Sequence, residues 1–417
     1  MSPESCELWI DYLVGARWFQ GKGLAVEQRE WRCLPWFAAD GDVLVRSELA
    51  VLRVGDTIDT YHLLVGYLPP GTAEPSALVG QVELEGHGLV DMVDAPCSPT
   101  AMAAFLRAIT TPGRSDVTWF AGSPDPQSPT QVFGGEQSNT TVRIGSGVLL
   151  KIFRRLSPGP NLESITLAAL APSAVTPQLI GTLDGDGVEL GVFVERILDA
   201  RDGWEYCVEC CKNGRSIAED MTHLGATLRR LHASMAAAFG TSSIDAADIG
   251  HTMAARLDAA AEQLPELADA QPRLRRLLRL HQATIPVQRV HGDFHLGQTL
   301  ISPKGWTIID FEGEPMKTPA ERVAPDSVWR DVAGLLRSLD CVRQSHTAPT
   351  GESANRWYQD ARAAFLDGYV GSADPSGRLL TAYEVDKAIY ELLYETRNRP
   401  DWAAIPRAAI MAAAYGA

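Results

Sequence analysis

The chain has 417 residues, 45% hydrophobic and 21% charged, which is ordinary for a globular protein and allows two or three domains with a large core. Its formal net charge of -15 disfavours a nucleic-acid or anionic-membrane partner, because either would require a basic face. No run approaches the roughly 18 apolar residues of a membrane span, and the acidic N-terminus has no signal-peptide pattern. We therefore expect a cytoplasmic protein; monomer and homo-oligomer both remain open.

The N-terminal stretch predicts a short helix followed by strands. Apolar residues first recur at helical spacing, and strand-like runs follow at 43–45, 49–52 and 61–67. A Pro/Gly turn at 69–71 ends this part. The helical positions are Trp9, Ile10, Tyr12 and Leu13.

A predicted β-hairpin formed by 131–133 and 141–144 surrounds a turn rich in glycine and small polar residues. Backbone N–H groups and a serine hydroxyl in such a turn can contact phosphate oxygens. The turn thus offers Gln137, Ser138 and Asn139 as candidate nucleotide-binding residues.

The next predicted strand carries Lys151 between apolar neighbours. A lysine at this place in kinases pairs with the α- and β-phosphates of ATP, whereas the structural alternative is a lysine extending from the strand to solvent. Kinases position this lysine with a glutamate on the following helix, and Glu163 is the nearest acid. The later apolar strand 190–197 has the order of a kinase hinge, which makes Glu195 and Ile197 candidates for adenine binding through their backbone.

The second half of the sequence is predominantly helical. Residues 218–239 form an amphipathic pattern in which His223 and His232 are interpreted as bystanders, and a helix pair is predicted at 253–283. Three cysteines upstream include a C-x-x-C spacing but have no second pair and no nearby histidine, so we interpret them as incidental helix residues rather than a zinc site. They are Cys207, Cys210 and Cys211.

The most informative stretch is 287–314, in which HGDFHLGQ is followed by a strand and DFEGE. Asp293 can accept the proton of a hydroxyl nucleophile, while Gln298 and Asp310 can hold the magnesium of a nucleoside triphosphate. Protein kinases use H-R-D-x-x-x-x-N and D-F-G at a similar spacing. Because Gly292 and Gln298 replace the Arg and Asn, the pattern favours a small-molecule kinase. His291 and His295 are supporting candidates, His291 as an anchor of the loop and His295 for orienting Asp293 or the substrate.

The C-terminal tail carries aromatic and acidic residues at helical spacing. Tyr390 and Tyr394 are four residues apart, as are Glu391 and Glu395, so each pair forms a stripe on one helix. Sugars bind to aromatic faces and to acids or arginines that hydrogen-bond their hydroxyl groups. A core helix with an exposed acidic edge is the structural alternative.

These motifs resemble those of the actinobacterial maltokinases, which belong to the aminoglycoside-phosphotransferase-like kinases. The resemblance rests on GEQSNT, LLKIFRR, HGDFHLGQ, DFEGEP, the segment 330–338 and YELLYETRNRPDW, and more loosely on RWFQGKG near the N-terminus. It implies an α+β, bilobal protein-kinase-like fold with an N-terminal β-rich cap subdomain and a mainly helical C-lobe. The implied division is a cap at 1–90, an intermediate subdomain and nucleotide-binding lobe at 91–198, and the C-lobe at 199–417.

The resemblance also implies site residues. Glu391, Tyr394, Glu395, Arg399 and Trp402 would help form the saccharide pocket. Glu321–Arg322 and the segment 330–338 would anchor the catalytic loop by ion pairing. The family as we know it carries a Glu where this chain has Ile165, so the pairing of Glu163 with Lys151 stays open.

The resulting hypothesis is ATP- and Mg²⁺-dependent phosphorylation of a sugar hydroxyl, with maltose as the first acceptor and maltose 1-phosphate as the product. Asp293 and His295 would be catalytic. Kinases for glucosamine, for another sugar or for an aminoglycoside are alternatives, although Arg397 and Arg399 in the tail favour a neutral sugar. A nucleotide-binding pseudokinase is the non-enzymatic alternative.

Overall fold

The computed structural model describes residues 3–19, 21–39, 41–134, 139–159, 161–281, 283–314, 317–344, 352–371 and 377–416. The chain forms two compact units. The first comprises Met1–Ala168 and Pro177–Leu198, and the second comprises Ala169–Thr176 and Asp199–Ala417. None of the helices in these described ranges combines the length and the hydrophobicity that crossing a membrane requires.

In the residues that the structure describes, the first unit contains two antiparallel sheets and three α-helices. Its elements are α1 (Pro3–Gly15), β1 (Val26–Ala38), β2 (Leu44–Val54), β3 (Thr57–Leu68), β4 (Leu78–Leu84), β5 (Gly88–Asp94), α2 (Pro99–Ile109), β6 (Val117–Trp119), β7 (Thr130–Val132), β8 (Thr140–Ile144), β9 (Val148–Ile152), β10 (Arg155–Leu156), α3 (Leu162–Leu170), β11 (Leu179–Gly185) and β12 (Val188–Glu195). The helix α3 begins in this unit and ends in the second.

The N-terminal sheet has the strand order β1-β2-β3-β5-β4, and β10 also pairs with β3. Trp9 and Leu13 of α1 are fully buried and share one apolar cluster with Tyr61 of β3. The predicted helix and the predicted strands at 43–67 are confirmed, except that 43–45 and 49–52 belong to the single strand β2. The strand β1 was missed because most of its residues are exposed or half-buried and give no clean alternation.

The second sheet has the order β6-β11-β12-β9-β8-β7 and carries the elements expected to bind nucleotide. The predicted hairpin is formed by β7 and β8, with Gln131 opposite Arg143. Lys151 lies on β9, which pairs with β8 on one side and with β12 on the other. Phe105, Leu150 and Phe193 are buried in the same apolar cluster, so this sheet packs against α2.

Over its described residues the second unit is mainly helical, with two small antiparallel sheets, β13-β16-β17 and β14-β15. Its elements are β13 (Arg201–Asp202), α4 (Gly203–Lys212), α5 (Ala218–Phe239), β14 (Thr241–Asp245), α6 (Ala246–Gln263), α7 (Gln271–Leu278), β15 (Thr284–Gln288), β16 (Thr299–Ser302), β17 (Gly305–Ile308), α8 (Pro319–Val323), α9 (Trp329–Gln344), α10 (Glu352–Val370), α11 (Gly377–Asn398) and α12 (Ala404–Tyr415). The predicted amphipathic helix is α5, and the predicted helix pair is α6 and α7.

Close helix packing forms the core of this unit. A Cβ atom at Gly225 of α5 would lie 2.2 Å from the carbonyl oxygen of Phe365, so only glycine lets α5 approach α10 this closely. The cysteines of α4 are buried free thiols, and the Cys210 sulfur accepts a hydrogen bond from the Arg215 Nη2 at 2.7 Å. This contact gives Cys210 a packing role.

Candidate active site

The segment that carries Asp293 and His295 is irregular, and buried side chains of α9 hold its backbone. The Asp331 carboxylate accepts the N–H of His291 at 2.8 Å through Oδ2 and the N–H of Gly292 at 2.9 Å through Oδ1. Ser338 Oγ accepts the N–H of Leu296 at 3.2 Å. The segment 330–338 therefore does anchor the loop that carries Asp293, but Asp331 and Ser338 act through hydrogen bonds to the backbone rather than through ion pairs.

His232 of α5 supports the same anchor. Its Nε2 lies 2.9 Å from the Asp331 carboxylate, and its Nδ1 lies 2.8 Å from the Tyr369 hydroxyl. Burial alone would raise the pKa of the Asp331 carboxyl, but the hydrogen bonds from His232 and the backbone lower it below its ordinary value. The interpretation of His232 as a bystander is therefore wrong, whereas His223 is exposed.

Two further contacts join the catalytic segment to the residues around Asp310. His291 Nε2 donates to the carbonyl oxygen of Ile309 at 3.0 Å, which agrees with the anchoring role expected for this histidine. Arg330 Nε donates to the carbonyl oxygen of Gly292 at 3.1 Å. Because a carbonyl oxygen only accepts, the Nε2 atom of His291 carries a proton.

The expected ion pairing of Glu321–Arg322 with the loop is wrong for Glu321. Its carboxylate closes a capping box with Thr318 at the start of α8. Arg322 does contact the segment after Asp310, because its Nη1 donates to the carbonyl oxygen of Glu312 at 3.4 Å.

Asp293 forms an ion pair with a lysine that the sequence did not indicate. Lys387 Nζ of α11 lies 3.1 Å from Asp293 Oδ1 and 2.9 Å from Glu314 Oε1. Burial alone would raise the pKa of the Asp293 carboxyl, but the charge and the hydrogen bond of the cationic Lys387 hold it well below its usual range. Asp293 is therefore a carboxylate at any physiological pH.

The Asp293–Lys387 pair lies in the wall of a cavity of about 480 Å³ within the second unit. All five residues predicted to bind the saccharide line this cavity, as do Asp293 and His295. The complete lining is Trp204, Asp293, His295, Gly297, Gly334, Ser338, Cys341, Lys387, Tyr390, Glu391, Tyr394, Glu395, Arg399 and Trp402. A volume of this size accommodates a small ligand.

Aromatic rings and compensated carboxylates shape this cavity. The rings of Tyr390 and Tyr394 are stacked with centroids 6.5 Å apart. Glu391 bonds the buried Arg337 at 2.8 Å, and Glu395 bonds Arg399 at 2.5 Å. Besides Asp293, two carboxylates thus line the cavity, and each is bonded to an arginine, although Arg337 also bonds Asp340 at 2.6 Å. Arg397 does not contribute, because it bonds Gln263 of α6.

His295 is held through its own ring nitrogen. Its Nδ1 accepts the N–H of Gly297 at 3.1 Å. Burial lowers the pKa of this imidazole, although the Asp293 carboxylate raises it in part. The ring is therefore neutral at physiological pH, with the proton on Nε2, because Nδ1 is an acceptor.

In the first unit, Lys151 and Glu163 form the pair that the sequence left open. Lys151 Nζ donates to Glu163 Oε2 at 2.7 Å, and both side chains are largely buried. Glu163 lies in the first turn of α3, where Asn161 Oδ1 accepts its N–H at 2.8 Å. Ile165, by contrast, is partly exposed.

The other predicted nucleotide contacts give a mixed picture. Gln137 and Ser138 lie outside the described residues. Asn139 is buried, and its Oδ1 accepts the N–H of Arg154 at 3.2 Å. At the end of β12, the N–H of Glu195 is already bonded to the carbonyl oxygen of Gln178 at 2.9 Å. Ile197 is the second residue predicted to bind adenine through its backbone. Adenine binding by Glu195 and Ile197 stays a prediction.

Two family models match this chain. Residues 130–314 match the phosphotransferase enzyme family, and residues 12–97 match the maltokinase N-terminal cap domain. The region 130–314 therefore belongs to the phosphotransferase enzyme family. The family resemblance stated from the sequence motifs is thereby confirmed, together with the mixed kinase-like fold.

Glucosamine kinases are among the proteins to which this chain is similar. The glucosamine kinase of Streptacidiphilus jiangxiensis is 29% identical over 315 residues, which cover 65% of this chain and 70% of that protein. The glucosamine kinase of Mycolicibacterium smegmatis is 26% identical over 385 residues, 82% and 94% of the two chains. A glucosamine kinase solved in complex with glucosamine, ADP and inorganic phosphate matches the fold with a TM-score of 0.67 and 23% identity, covering 97% of this chain and 98% of that chain.

A phosphotransferase of kinase-like fold implies a magnesium ion, and Gln298 and Asp310 fit one. Gln298 Nε2 donates to Asp310 Oδ2 at 3.1 Å, which places a carboxamide and a carboxylate side by side. Hard oxygen ligands of this kind suit Mg²⁺. Asp310 also has a φ of 64°, and a left-handed backbone costs roughly 1–2 kcal/mol at a residue with a Cβ atom.

Within this phosphotransferase, the sequence missed Lys387 and Trp204, and it placed Arg337 in the anchoring segment 330–338 without linking it to the cavity. Lys387 and Arg337 lie on helices whose pattern predicts solvent-exposed charged residues. In the structure, however, the side chain of Lys387 is only 15% exposed and that of Arg337 only 5%. Trp204 follows β13 in a segment with no motif. The sequence feature that could have identified Lys387 is its position one helical turn before the Tyr390–Glu391 pair.

Proposed function

We propose that this protein transfers the γ-phosphoryl group of ATP to a hydroxyl group of a small sugar. The observation that carries this proposal is the ionised Asp293 in the wall of a cavity lined by stacked tyrosines and carboxylates. Aromatic faces bind the apolar faces of sugars, and the carboxylates accept hydrogen bonds from hydroxyl groups.

Asp293 would accept a hydrogen bond from the acceptor hydroxyl and receive its proton as the bond to phosphorus forms. A carboxylate with a lowered pKa is a weak base, so orientation of the hydroxyl is its main contribution. This suits phosphoryl transfer, whose loose transition state needs positioning and charge neutralisation more than strong base catalysis. His295, neutral and next to Asp293, would donate from Nε2 to a sugar oxygen.

The remaining predicted residues would bind ATP. Lys151, aligned by Glu163, would bind the α- and β-phosphates. Gln298 and Asp310 would hold Mg²⁺, which when bound neutralises charge on the β- and γ-phosphates. Asn139 would contribute from the hairpin, and Glu195 and Ile197 from the backbone after β12.

Glucosamine is the acceptor favoured by the relatives, both of which are glucosamine kinases. The cavity offers a place for its ammonium group at Glu395. The Arg399 partner of this carboxylate is half exposed, and such ion pairs contribute only about 0–1 kcal/mol, so a ligand cation can displace it. Glu391 is less available, because Arg337 is buried beneath it.

Maltose is the second acceptor, supported by the match to the maltokinase N-terminal cap domain. The pairing of each carboxylate with a cation also fits a neutral sugar. Glu395→Gln separates the two acceptors, because it would weaken turnover of glucosamine more than turnover of a neutral sugar.

A coupled ADP-release assay with ATP and Mg²⁺ tests the proposal across glucosamine, maltose, glucose, trehalose and kanamycin. We expect turnover with glucosamine or maltose, and a loss of about 100-fold or more in kcat for Asp293→Asn with ATP binding retained. Turnover of kanamycin alone would move the acceptor to aminoglycosides. ATP binding without transfer to any of these acceptors would favour a pseudokinase and contradict the proposal.

A further inference from the structure

Lys387 occupies an unusual position for a helix lysine. Its ammonium group bridges Asp293 and Glu314 at 3.1 and 2.9 Å, and it lies 4.9 Å from the centroid of the Tyr390 ring. The side chain is only 15% exposed, and what remains exposed lines the cavity. Lys387 is therefore fixed from three sides next to the proposed catalytic carboxylate.

Glu314 does not depend on Lys387 for charge compensation. Arg330 Nη2 bonds Glu314 at 2.5 Å, and Lys317 Nζ lies 3.6 Å from the same carboxylate. In turn, Arg330 is held by Asp326 at 2.9 Å. Glu314 thus acts as a rigid support that positions the Lys387 ammonium group. Because Glu314 has two other cations, the charge of Lys387 stabilises mainly the Asp293 carboxylate.

The bond from Lys387 selects one oxygen of Asp293. It occupies Oδ1, which leaves Oδ2 to accept from the hydroxyl of a bound sugar. A misplacement of about 1 Å in a reacting group can cost a factor of about 100 in rate, so fixing this rotamer has a large kinetic value.

Lys387 also connects Asp293 with the helix that lines the cavity. Lys387, Tyr390–Glu391 and Tyr394–Glu395 follow one another at three- and four-residue steps on one face of α11. Seven residues of helix span about 10 Å, the length of a small saccharide. Any shift of α11 when a sugar binds to this face therefore reaches Asp293 directly.

We propose that Lys387 is a positioning residue that locks the Asp293 carboxylate in its reactive orientation and couples it to occupancy of the sugar cavity through α11. This inference rests on the proposed function, because it takes Asp293 as the group that receives the acceptor hydroxyl. Lys387 acts through Asp293 and takes no part in bond formation itself.

The test compares Lys387→Met, Lys387→Arg and the matched control Lys317→Met, which removes a lysine on the same Glu314 without touching Asp293. With a sugar that the wild-type protein phosphorylates, we expect kcat to fall about 10- to 100-fold in Lys387→Met, with the KM for ATP changed less than about 2-fold. Lys387→Arg should recover part of the loss, and Lys317→Met should stay within about 2-fold of the wild type.

Crystal structures of the three variants give a readout that does not require turnover. In Lys387→Met we expect the Asp293 carboxylate to leave its wild-type orientation, and in Lys317→Met to keep it. An unmoved Asp293 in Lys387→Met, or a kcat loss equal in both Met variants, would overturn the inference. A wild-type protein that phosphorylates no sugar would refute the proposed function instead, while the orientation of Asp293 still decides the structural claim.

Discussion

Lys151 in the first unit and Asp293 in the second are both held by a largely buried ion pair, but their partners come from very different distances along the chain. Lys151 is bonded by Glu163, twelve residues later. Asp293 is bonded by Lys387, 94 residues later, and the backbone before it is held by Asp331, whose bond to His291 spans 40 residues. A partner close in sequence leaves a recognisable pattern, whereas a distant partner does not.

The backbone after Lys151 is also supported from afar. Arg154 is fully buried and bonds both oxygens of Asp94, at 2.9 and 2.8 Å, and its Nε donates to Thr140 Oγ1 at 2.7 Å. Its guanidinium lies 4.6 Å from the centroid of the Trp18 ring. Arg154 therefore ties the N-terminal sheet to the start of β8, next to Asn139.

The largest expected effect is the loss of stability when Arg154 is replaced. Its size shows how strongly the first unit depends on a partner distant in sequence, as the second unit depends on Asp331. Arg154→Met leaves the Asp94 carboxylate buried without its cation, which typically costs about 3–5 kcal/mol of unfolding free energy. Chemical denaturation measures the loss, and hydrogen exchange should show faster exchange of the amides of Asn139 and Thr140.

Arg46→Met is the matched control, because Arg46 bonds the buried Glu48 at 2.7 Å in the same sheet without contacting β8. This variant should also lose stability, yet leave exchange at positions 139 and 140 unchanged. A loss of unfolding free energy below about 1 kcal/mol in Arg154→Met would mean that the first unit does not depend on the ion pair between Arg154 and Asp94.

The next effect separates Lys151 from the residue that aligns it. Lys151→Met removes a cation expected to bind the phosphates of ATP, and we expect kcat/KM to fall about 100-fold, in the range measured for the loss of one group that stabilises developing charge. Glu163→Gln keeps the lysine and should cost only about 10-fold. Steady-state kinetics with varied ATP measures both, and equal losses would assign Glu163 a direct role.

Sequence reasoning identified as candidates the residues whose proposed roles require a fixed local spacing. Asp293, Gln298 and Asp310 belong to one short stretch, and β9 follows β8 in a hairpin. Lys387 was missed because a charged residue on an amphipathic helix normally faces solvent, whereas here the tertiary fold pairs it with Asp293 and Glu314.

The same limit explains the error at His232. Its spacing on α5 predicts a position near the core, but the histidine bonds Asp331 and Tyr369, which lie 99 and 137 residues away. Contacts at such separations are set by the tertiary fold and leave no local pattern. The N-terminal strand β1 was missed for the opposite reason, because its largely exposed surface gives no hydrophobic alternation.

The smallest expected effect is a dependence of stability on pH. It should differ between the two units, because His62 lies in the first unit and Asp331 in the second. His62 of β3 is completely buried, and burial, with a smaller contribution from Arg154, lowers its pKa to about 3. Its Nδ1 donates to the carbonyl oxygen of Phe153 at 3.1 Å, and its Nε2 accepts from Ser47 at 2.8 Å, so the folded unit holds the neutral ring. Below the ordinary histidine pKa of 6.5 the unfolded chain binds a proton that the folded unit excludes.

Stability of the first unit should therefore fall by up to about 1.4 kcal/mol per pH unit below pH 6.5, which is about 2 kcal/mol at pH 5. The Asp331 carboxyl has a lowered pKa, so its contribution to the second unit is complete above its ordinary value of 3.8 and is lost only below it. Hydrogen exchange at pH 7 and pH 5, corrected for intrinsic rates, should show weakened protection in β3 and β9 before the catalytic segment changes. His62→Gln should flatten this dependence, and an unchanged slope in that variant would mean that another group takes up the proton.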